Sequence, residues 1–480
     1  MKKLATYIML FFTCMGISES CANPAQRHRQ PSTEFDGFWQ GPHPVLSHVS
    51  FIIQVKHEKS GLLSGRGWWV NRGLYQAGFS VDSISIEKGC IRMVLPQWGC
   101  TYTGKYKNSD SSIHGIFSCP GEPPDSVMLS RADTRRLLGL FPEHLDESGS
   151  YCFTYNEPEK SGSGLPTGKW KAIEDHPEVL HAMMKRMGEG AWGRIHSFLL
   201  IKHGRLVCEE YFYGFTRKDL HPVESVTKSI TSLLVGITID QGCISSEQDL
   251  IEDSLPGLVP ADKSDIQLRH LLTMTSGIGA GEHEMVGHKN RTEFILHYPL
   301  VSAPGKAFRY NACNTELLGS IIKNATGLFA DEYAEKSLFG PLSITRFHWD
   351  TFRQNGYPLC GGSLWITPQA MAKIGLLVLN RGLWKSEQIV SRRWLDLSFS
   401  DSVATGIGKD RYGYQWWISD IRSGSFTYRM LWANGMGSQF ILIFPERDMV
   451  VVFTGGNWEG GNSGRSWDIF SMLDKYINFL

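Results

Sequence analysis

The sequence of 480 residues lacks an excess of either charge, because its 48 basic residues are balanced by 48 acidic ones. A balanced chain gives no electrostatic reason to expect a nucleic-acid partner. The ten cysteines form no Cys-x-x-Cys pair and no Cys/His cluster with zinc spacing, which argues against a metal site. Beyond the N-terminus, no run of about 18 apolar residues occurs, so no transmembrane helix is expected.

The composition also excludes a mainly disordered chain. Hydrophobic residues make up 42% of the sequence and charged residues 20%, which is ordinary for a globular protein. The chain is longer than a single hydrophobic core usually serves, and no internal repeat is visible. Two or more different domains are therefore expected.

Residues 1–22 have the pattern of a secretory signal peptide. Two lysines precede an apolar run from Leu4 to Ile17, which is too short to span a bilayer. The pattern predicts export to the bacterial periplasm or cell envelope, or secretion. Cys21 offers a lipid anchor as an alternative, but residues 18–20 match the usual lipoprotein box poorly, so simple secretion is favoured.

Residues 35–132 are expected to form a small all-β domain. Short strand-like runs alternate there with Gly, Asn, Asp and Ser turns. The runs are Val49–Val55, Ser80–Ile86, Cys90–Leu95 and Ile113–Phe117. Together with the segments 37–41 and 113–117, this pattern resembles the lipocalin-like antiparallel barrels of some exported hydrolases. Of the three cysteines of this region, at most two can pair with each other.

A linker is predicted over residues 133–165. In residues 166–480 the sequence pattern changes, and helix and strand signals alternate. Strand-like runs lie near both ends of this half, and helical patterns lie between them. The strand-like runs are 198–201, 206–213, 440–444 and 449–454, and a helix-like segment at 466–479 closes the chain. The sequence therefore predicts one antiparallel sheet, joined from the two ends of the half and flanked by helices, an α/β (α+β) arrangement.

A serine three residues before a lysine is the spacing of a serine nucleophile with a lysine base, but so short a motif also occurs by chance. Three matches occur: Ser85/Lys88, Ser225/Lys228 and Ser320/Lys323. Ser85 lies in a predicted strand, and Ser320 lies inside a helical run that begins near Thr315. Only Ser225 lies where a helix is expected to begin.

At a helix start, the Ser225 hydroxyl and the Lys228 amine share a face about 5–6 Å apart at Cβ. A free backbone N–H there can also donate to an oxyanion. The lysine acts as a base only if its pKa falls, so burial and neighbouring cations are expected around Lys228. The alternative is an N-cap serine followed by a surface lysine.

Three further segments, taken with the sequence around Ser225, carry a resemblance to a known family. They are 270–277 (HLLTMTSG), 361–364 (GGSL) with Thr367-Pro368, and 412–417 (YGYQWW). Over about residues 165–480 the chain resembles the serine hydrolases related to class C β-lactamases, D-alanyl-D-alanine carboxypeptidases, esterases and 6-aminohexanoate-oligomer hydrolases. The resemblance implies a β-lactamase/transpeptidase-like fold and a nucleophilic Ser225.

The family's second motif, Tyr-x-Asn, corresponds to Tyr310, Asn311 and Ala312. The resemblance implies that Tyr310 transfers a proton to the leaving group; the alternative is a buried aromatic residue with a satisfied hydroxyl. Ala312 stands where many members carry Asn, so an amide contact with the substrate is not expected. Asn311 cannot be assumed to replace it.

The third motif is usually Lys-Thr-Gly or His-x-Gly, and the best match here is Ala433-Asn434-Gly435. The resemblance implies that the backbone N–H of Met436 is the second oxyanion donor, beside that of Ser225. Gly435 permits the close approach of a substrate. The cationic or imidazole side chain of the family motif is missing.

These residues predict an exported serine hydrolase that cleaves a small-molecule or peptide-like ester or amide through an acyl-Ser225 intermediate, without a metal or organic cofactor. The alternatives are a β-lactamase or D-Ala-D-Ala carboxypeptidase, and a non-turnover penicillin-binding protein. A Ser-His-Asp mechanism is disfavoured, because the only Gly-Ser-Gly context, at residues 162–164, lies in the linker. Trp416 and Trp417 are expected either to line the cleft or to pack in the core.

Overall fold

The computed structural model describes most of the chain after residue 34. The described residues are 35–42, 49–58, 62–71, 74–96, 99–120, 124–132, 150–160, 162, 164–169, 171, 175–282, 285, 288, 290–351, 356–457 and 468–480. They belong to two compact units, 35–132 and 150–480. The predicted signal peptide, Cys21 and much of the predicted linker lie outside these residues, and the predicted domain boundaries stay predictions. None of the described helices is both long and apolar enough to cross a membrane.

The first unit is a closed barrel of eight antiparallel strands in sequential order. The strands are β1 (Gly37–Pro42), β2 (Val49–His57), β3 (Leu63–Asn71), β4 (Leu74–Glu87), β5 (Cys90–Leu95), β6 (Cys100–Lys107), β7 (Ser112–Ser118) and β8 (Asp125–Arg131). Pairing of Trp39 with Arg131 closes the barrel between β1 and β8. The predicted all-β domain is therefore present, while its likeness to lipocalins stays a prediction.

The barrel encloses a hydrophobic core, because alternate residues of its strands point inwards. Trp39, Phe51 and Tyr102 are among its fully buried side chains, and the Tyr102 hydroxyl donates to the backbone of β7 and β8. Cys100 and Cys119 form a disulfide bond, and Cys90 is free. One of the pairings that the sequence left open is thus realised.

The second unit contains strands, α-helices, short 3-10 turns and a π-helix. Its strands are β9 (Ile195–Lys202), β10 (Arg205–Tyr211), β11 (His221–Pro222), β12 (Phe347–Trp349), β13 (Leu364–Ile366), β14 (Leu383–Trp384), β15 (Glu387–Gln388), β16 (Val403–Ala404), β17 (Arg411–Tyr412), β18 (Trp417–Ser423), β19 (Phe426–Gly435), β20 (Gln439–Phe444) and β21 (Met449–Gly455). Its helices are α1 (Pro177–Gly188), α2 (Val226–Asp240), α3 (Ile251–Ser254), α4 (Leu268–Leu272), α5 (Arg291–His297), α6 (Ala312–Thr326), α7 (Ala330–Ala334), α8 (Pro368–Leu379), α9 (Arg392–Ser400) and α10 (Asp468–Tyr476). Short 3-10 turns lie at Ala261–Lys263 and Pro445–Arg447, and a π-helix lies at Glu335–Phe339.

An eight-stranded antiparallel sheet organises this unit, in the order β10-β9-β21-β20-β19-β18-β17-β16. Strand β9 pairs with β21, so the sheet is joined from the two ends of the chain segment, as the sequence predicts. Gly375 of α8 lies against Ile441, whereas Phe470 of α10 packs on Phe440. Because adjacent residues of a strand point to opposite faces, helices flank both faces of the sheet.

The three candidate serines lie where the sequence places them. Ser85 is in strand β4, Ser320 is in the third turn of α6, and Ser225 immediately precedes α2. Helix α2 is buried along almost its whole length, because it packs against both α6 and the sheet. Two of its buried threonines donate their hydroxyls to carbonyls one turn earlier: Thr231 to Thr227 at 3.1 Å and Thr238 to Leu234 at 2.8 Å.

His196 of β9 and His221 of β11 form a pair of buried histidines. His196 Nδ1 and His221 Nε2 are 2.8 Å apart, and the His196 ring stacks on Phe215 at a centroid distance of 4.2 Å. Burial lowers the pKa of His221 to about 3 and lowers the pKa of His196 well below its usual value. The folded protein therefore keeps both rings neutral.

This pair predicts a loss of stability in mild acid. Below about pH 6.5 the unfolded chain binds a proton at His221 that the folded chain does not bind, so the free energy of unfolding falls as the pH decreases towards 3. At about pH 5 the loss from His221 alone is about 2 kcal/mol. Urea unfolding at about pH 7.5 and pH 5 measures it, and His221→Gln should flatten the difference.

The exposed His203, bound to Asp448 at 3.0 Å, provides the control. His203→Gln should leave the pH dependence as it is in the wild type. An unchanged pH dependence in His221→Gln would contradict the explanation.

Candidate active site

Ser225 is the N-cap residue of α2, with φ −66° and ψ −7°. The next three backbone N–H groups donate to carbonyls three residues earlier, so the chain tightens into a turn as the helix begins; for example, the Lys228 N–H donates to the Ser225 carbonyl at 3.1 Å. Within the described part of the chain, the Ser225 N–H itself has no hydrogen-bond acceptor. A free donor at the positive end of α2 is suited to an oxyanion.

Lys228 lies one turn into α2, and its side chain is only 2% exposed. Its Nζ donates to Ser225 Oγ at 2.9 Å and to the Gly361 carbonyl at 2.6 Å. The alternative of a surface lysine is therefore wrong. The serine–lysine contact that the spacing predicts is formed.

The charge state of Lys228 differs from the expectation that its pKa falls. Burial does disfavour the ammonium, but the Coulombic attraction of Tyr310 and Glu282, a hydrogen bond with Tyr310 and the more distant Glu316 outweigh it. The net effect raises the pKa of Lys228. The expectation was wrong because the lysine has acidic neighbours rather than cationic ones.

Tyr310 lies at the end of the loop before α6 and is 37% exposed. The Lys228 Nζ lies 5.1 Å from the centre of its ring. The Trp417 ring stacks on the Tyr310 ring, at a centroid distance of 5.7 Å and an interplanar angle of 26°. Trp416, by contrast, is fully buried, so the two tryptophans divide between the core and the cleft.

The two residues after Tyr310 are used in starting α6. The Asn311 side chain caps the helix, accepting from the Cys313 N–H at 2.9 Å and donating to the Ala280 carbonyl at 2.7 Å. Asn311 is therefore engaged within the fold and does not replace the amide that Ala312 lacks. The Ala312 N–H donates to the Glu282 carboxylate at 2.9 Å.

The third motif ends strand β19 next to the nucleophile segment. A Cβ atom on Gly435 would lie 2.1 Å from the Val223 carbonyl oxygen, so only glycine allows this approach. The Met436 N–H, like that of Ser225, has no acceptor among the residues that the structure describes. Asn434 lies on the opposite strand face, with Trp432, because side chains alternate along β19.

Several carboxylates near Ser225 were missed by sequence reasoning. Glu224, which precedes Ser225, has a left-handed φ of 48°, and burial raises its pKa to about 7, aided by Asp350 and Glu282 and opposed by Lys228. Glu316 lies inside the mostly apolar helix α6. An acidic residue in an otherwise apolar helical pattern is a signal that could have identified Glu316.

The histidines that might suggest a triad have other partners. His203 contacts Asp448, His221 contacts His196, and His270 Nδ1 accepts from the Gln267 N–H at 3.1 Å. His283 lies outside the described residues. Nor do the described residues contain a group of three or more His, Cys, Asp or Glu side chains that could hold a metal ion.

Comparison with known proteins identifies the family. The family model described as Beta-lactamase matches residues 191–465, more than half of the chain. The chain is 25% identical over 314 residues to a 6-aminohexanoate-dimer hydrolase of Paenarthrobacter ureafaciens, covering 58% of this chain and 78% of that protein. It is 27% identical over 211 residues to Protein flp of Staphylococcus aureus, covering 36% of this chain and 41% of that protein.

Solved structures share the fold. A penicillin-binding protein homologue from Caulobacter crescentus matches with a TM-score of 0.51 and 13% identity, over 65% of this chain and 98% of that one. An octameric penicillin-binding protein homologue from Pyrococcus abyssi matches with a TM-score of 0.50 and 22% identity, over 62% and 77%. The predicted β-lactamase/transpeptidase-like fold is thus confirmed. The chain belongs to the Beta-lactamase family and is a serine hydrolase of that family.

Proposed function

We propose that this protein hydrolyses an ester or amide bond through an acyl-Ser225 intermediate, with Lys228 and Tyr310 handling the proton. The observation that supports this most is the 2.9 Å hydrogen bond from Lys228 Nζ to Ser225 Oγ at the start of a buried helix. Tyr310 faces the same ammonium from the open side of the site. A nucleophile and a phenol that both approach one ammonium are the parts that acyl transfer needs.

In this mechanism Lys228 remains an ammonium, and Tyr310 begins each half-reaction as a phenolate beside that ammonium, so that its oxygen acts as the base. Ser225 Oγ forms a bond to the substrate carbonyl carbon while its proton passes to Tyr310. The tetrahedral intermediate then breaks its bond to the leaving group, which takes the proton from Tyr310. In the second half-reaction a water oxygen forms a bond to the acyl carbon while the water gives a proton to Tyr310. The tetrahedral intermediate then breaks its bond to Ser225 Oγ, which takes the proton from Tyr310, so the acid is released and Ser225 is restored.

The backbone N–H groups of Ser225 and Met436 are proposed as the oxyanion donors. Two observations support this: neither has an acceptor in the described part of the chain, and Gly435 lies directly against the Val223 carbonyl. Donors fixed by the fold in this way need no reorganisation when charge develops on the substrate oxygen. Gly435 would give the substrate room beside β19.

The proposed substrates are small-molecule or peptide-like esters and amides without a carboxylate near the scissile bond. Ala433 and Ala312 offer no charge or side-chain hydrogen bond to such a carboxylate. Glu282 and Glu224 act electrostatically on the Lys228 region, and both are acidic. The 25%-identical relative is named as a hydrolase of 6-aminohexanoate dimer, which is compatible with an amide substrate.

We also propose that the protein acts after export. The signal-like residues 1–22 support this, and the Cys100–Cys119 disulfide is typical of oxidising compartments. The intact mass of protein purified from the envelope of producing cells should lack about the first 20 residues. A mass increase from lipid on Cys21 would favour the anchored alternative, and an uncleaved N-terminus would contradict export.

Replacing the nucleophile tests the mechanism. Ser225→Ala should abolish labelling by a fluorophosphonate probe and lower kcat on a nitrophenyl ester by about 10³-fold or more. Ser85→Ala and Ser320→Ala serve as controls, since they remove the serines of the two other Ser-x-x-Lys matches. Near-wild-type kcat in a folded Ser225→Ala variant would exclude the mechanism.

A fluorescent penicillin separates the alternative functions. Turnover of the ester with only weak penicillin labelling is the expected result. Stable labelling at Ser225 without ester or penicillin turnover would favour a non-turnover penicillin-binding protein. Rapid release of the label would favour a β-lactamase.

The substrate preference is tested with a pair of substrate types. Short-chain nitrophenyl esters should be hydrolysed, and cephalosporins should be turned over weakly or not at all. A missing charge-assisted hydrogen bond to the carboxylate costs about 1.5–3 kcal/mol, or about 10- to 150-fold in kcat/KM.

Arg429 is the cation of β19 that could supply this bond, but it is exposed and its guanidinium donates to the Phe399 carbonyl at 3.3 Å. Arg429→Ala should therefore leave both kcat/KM values near those of the wild type. Efficient cephalosporin hydrolysis that is lost in Arg429→Ala would overturn the preference.

A further inference from the structure

Glu316 is a buried carboxylate that the proposed mechanism does not use. It lies in α6, its side chain is 7% exposed, and its polar partners include a backbone N–H group and an arginine. One oxygen accepts from the Gly361 N–H at 2.9 Å, and the other lies 3.4 Å from the guanidinium of Arg291, which is equally buried. A buried acid is retained only with such partners, so its location calls for an explanation.

The Gly361 residue connects this acid to the nucleophile. Its N–H binds Glu316, while its carbonyl accepts from Lys228 Nζ at 2.6 Å. The preceding carbonyl, that of Cys360, accepts from the Thr231 hydroxyl of α2 at 3.0 Å. The backbone at 360–361 is therefore held between α6 and α2 by hydrogen bonds on both sides.

Steric contacts hold the same backbone in place. A Cβ atom on Gly361 would lie 2.8 Å from the Ala312 Cβ and 3.4 Å from a Glu316 carboxylate oxygen. A Cβ atom on Gly319 would lie 2.3 Å from Cys360 Sγ. The absence of side chains at 361 and 319 lets α6 approach this backbone closely enough for the Glu316 hydrogen bond.

We propose that Glu316 is a positioning residue, which acts through the Gly361 peptide to hold Lys228 Nζ at hydrogen-bonding distance from Ser225 Oγ. This inference rests on the proposed roles of Ser225 and Lys228. Arg291 balances the charge of Glu316 through the carboxylate oxygen that Gly361 does not bind. The four groups form a chain from Arg291 through Glu316 and Gly361 to the Lys228 ammonium.

Glu316 also contributes to the charge state of Lys228. The acidic groups that face Lys228 are Glu316, Glu282, Glu224 and Tyr310, and Glu316 is one of those that raise the pKa of Lys228. Removing the Glu316 charge should therefore lower the pKa of Lys228. The alkaline limb of the kcat/KM profile should then move to lower pH.

The test compares two substitutions at Glu316. Glu316→Gln removes the charge, and Glu316→Asp keeps the charge for Arg291 but withdraws the carboxylate from Gly361. Both should slow labelling of Ser225 by a fluorophosphonate and lower kcat on a nitrophenyl ester by about 10- to 100-fold, with KM within about twofold, because small misplacements of reacting groups are that costly. Only Glu316→Gln should move the alkaline limb.

Glu247→Gln is the matched control, because Glu247 is also a buried acid paired with an arginine, Arg393, at 3.0 Å. It should reduce the melting temperature without changing the labelling rate or the pH profile. The labelling and turnover rates of each variant are divided by its folded fraction, measured by circular dichroism.

Wild-type labelling rates and pH profiles in both Glu316 variants would overturn the proposal. A second pattern would also overturn it: slow labelling in Glu316→Gln, a wild-type labelling rate in Glu316→Asp, and an alkaline limb that moves in neither variant. That pattern indicates a purely structural ion pair. If the wild-type enzyme is not labelled at Ser225 at all, the proposed function fails instead, and this inference fails with it.

Discussion

The buried charge of Lys228 is the constraint on which the rest of the site depends. An ammonium that is removed from water is strongly destabilising unless hydrogen-bond acceptors and negative groups surround it. Here Ser225 Oγ and the Gly361 carbonyl accept hydrogen bonds from the ammonium, and Glu282 and Glu316 supply negative charge. The elements that carry these groups must therefore converge on the first turn of α2.

Convergence of this kind requires close approach of several backbones. Gly435 lets the end of β19 lie against the residue two before the nucleophile, and Gly361 lets its own segment lie against α6. Glu224 adopts a left-handed φ of 48° so that the chain can turn from β11 into α2. Strain at a non-glycine residue next to the proposed nucleophile is typical of a functional site, where surrounding contacts maintain it.

The sequence allowed the position of each group with a proposed role in the reaction to be predicted, because those signals are local. Ser225 before a helical pattern and Tyr310 before another could be placed without knowledge of the tertiary fold, as could the strands at either end of the large sheet. The contact of Lys228 with the Gly361 carbonyl could not be predicted, because the two residues are 133 positions apart in the chain. The prediction that the pKa of Lys228 falls was wrong for the same reason. That pKa depends on acidic residues from other segments, and a spacing rule contains no information about them.

The departure at Ala312 shows how one small residue changes both packing and polarity. Its methyl group lies against Gly361, where a larger side chain would compete with the contact between α6 and that segment. In the motif of the family, this position carries an amide that can donate a hydrogen bond to a substrate. In this chain the Ala312 N–H is bound by the Glu282 carboxylate, so the groups on this side of Tyr310 present acceptors and negative charge. This arrangement agrees with the proposed preference for substrates without a carboxylate, because an anionic group here would face Glu282, while two of the Lys228 donors are already bound to Ser225 and Gly361.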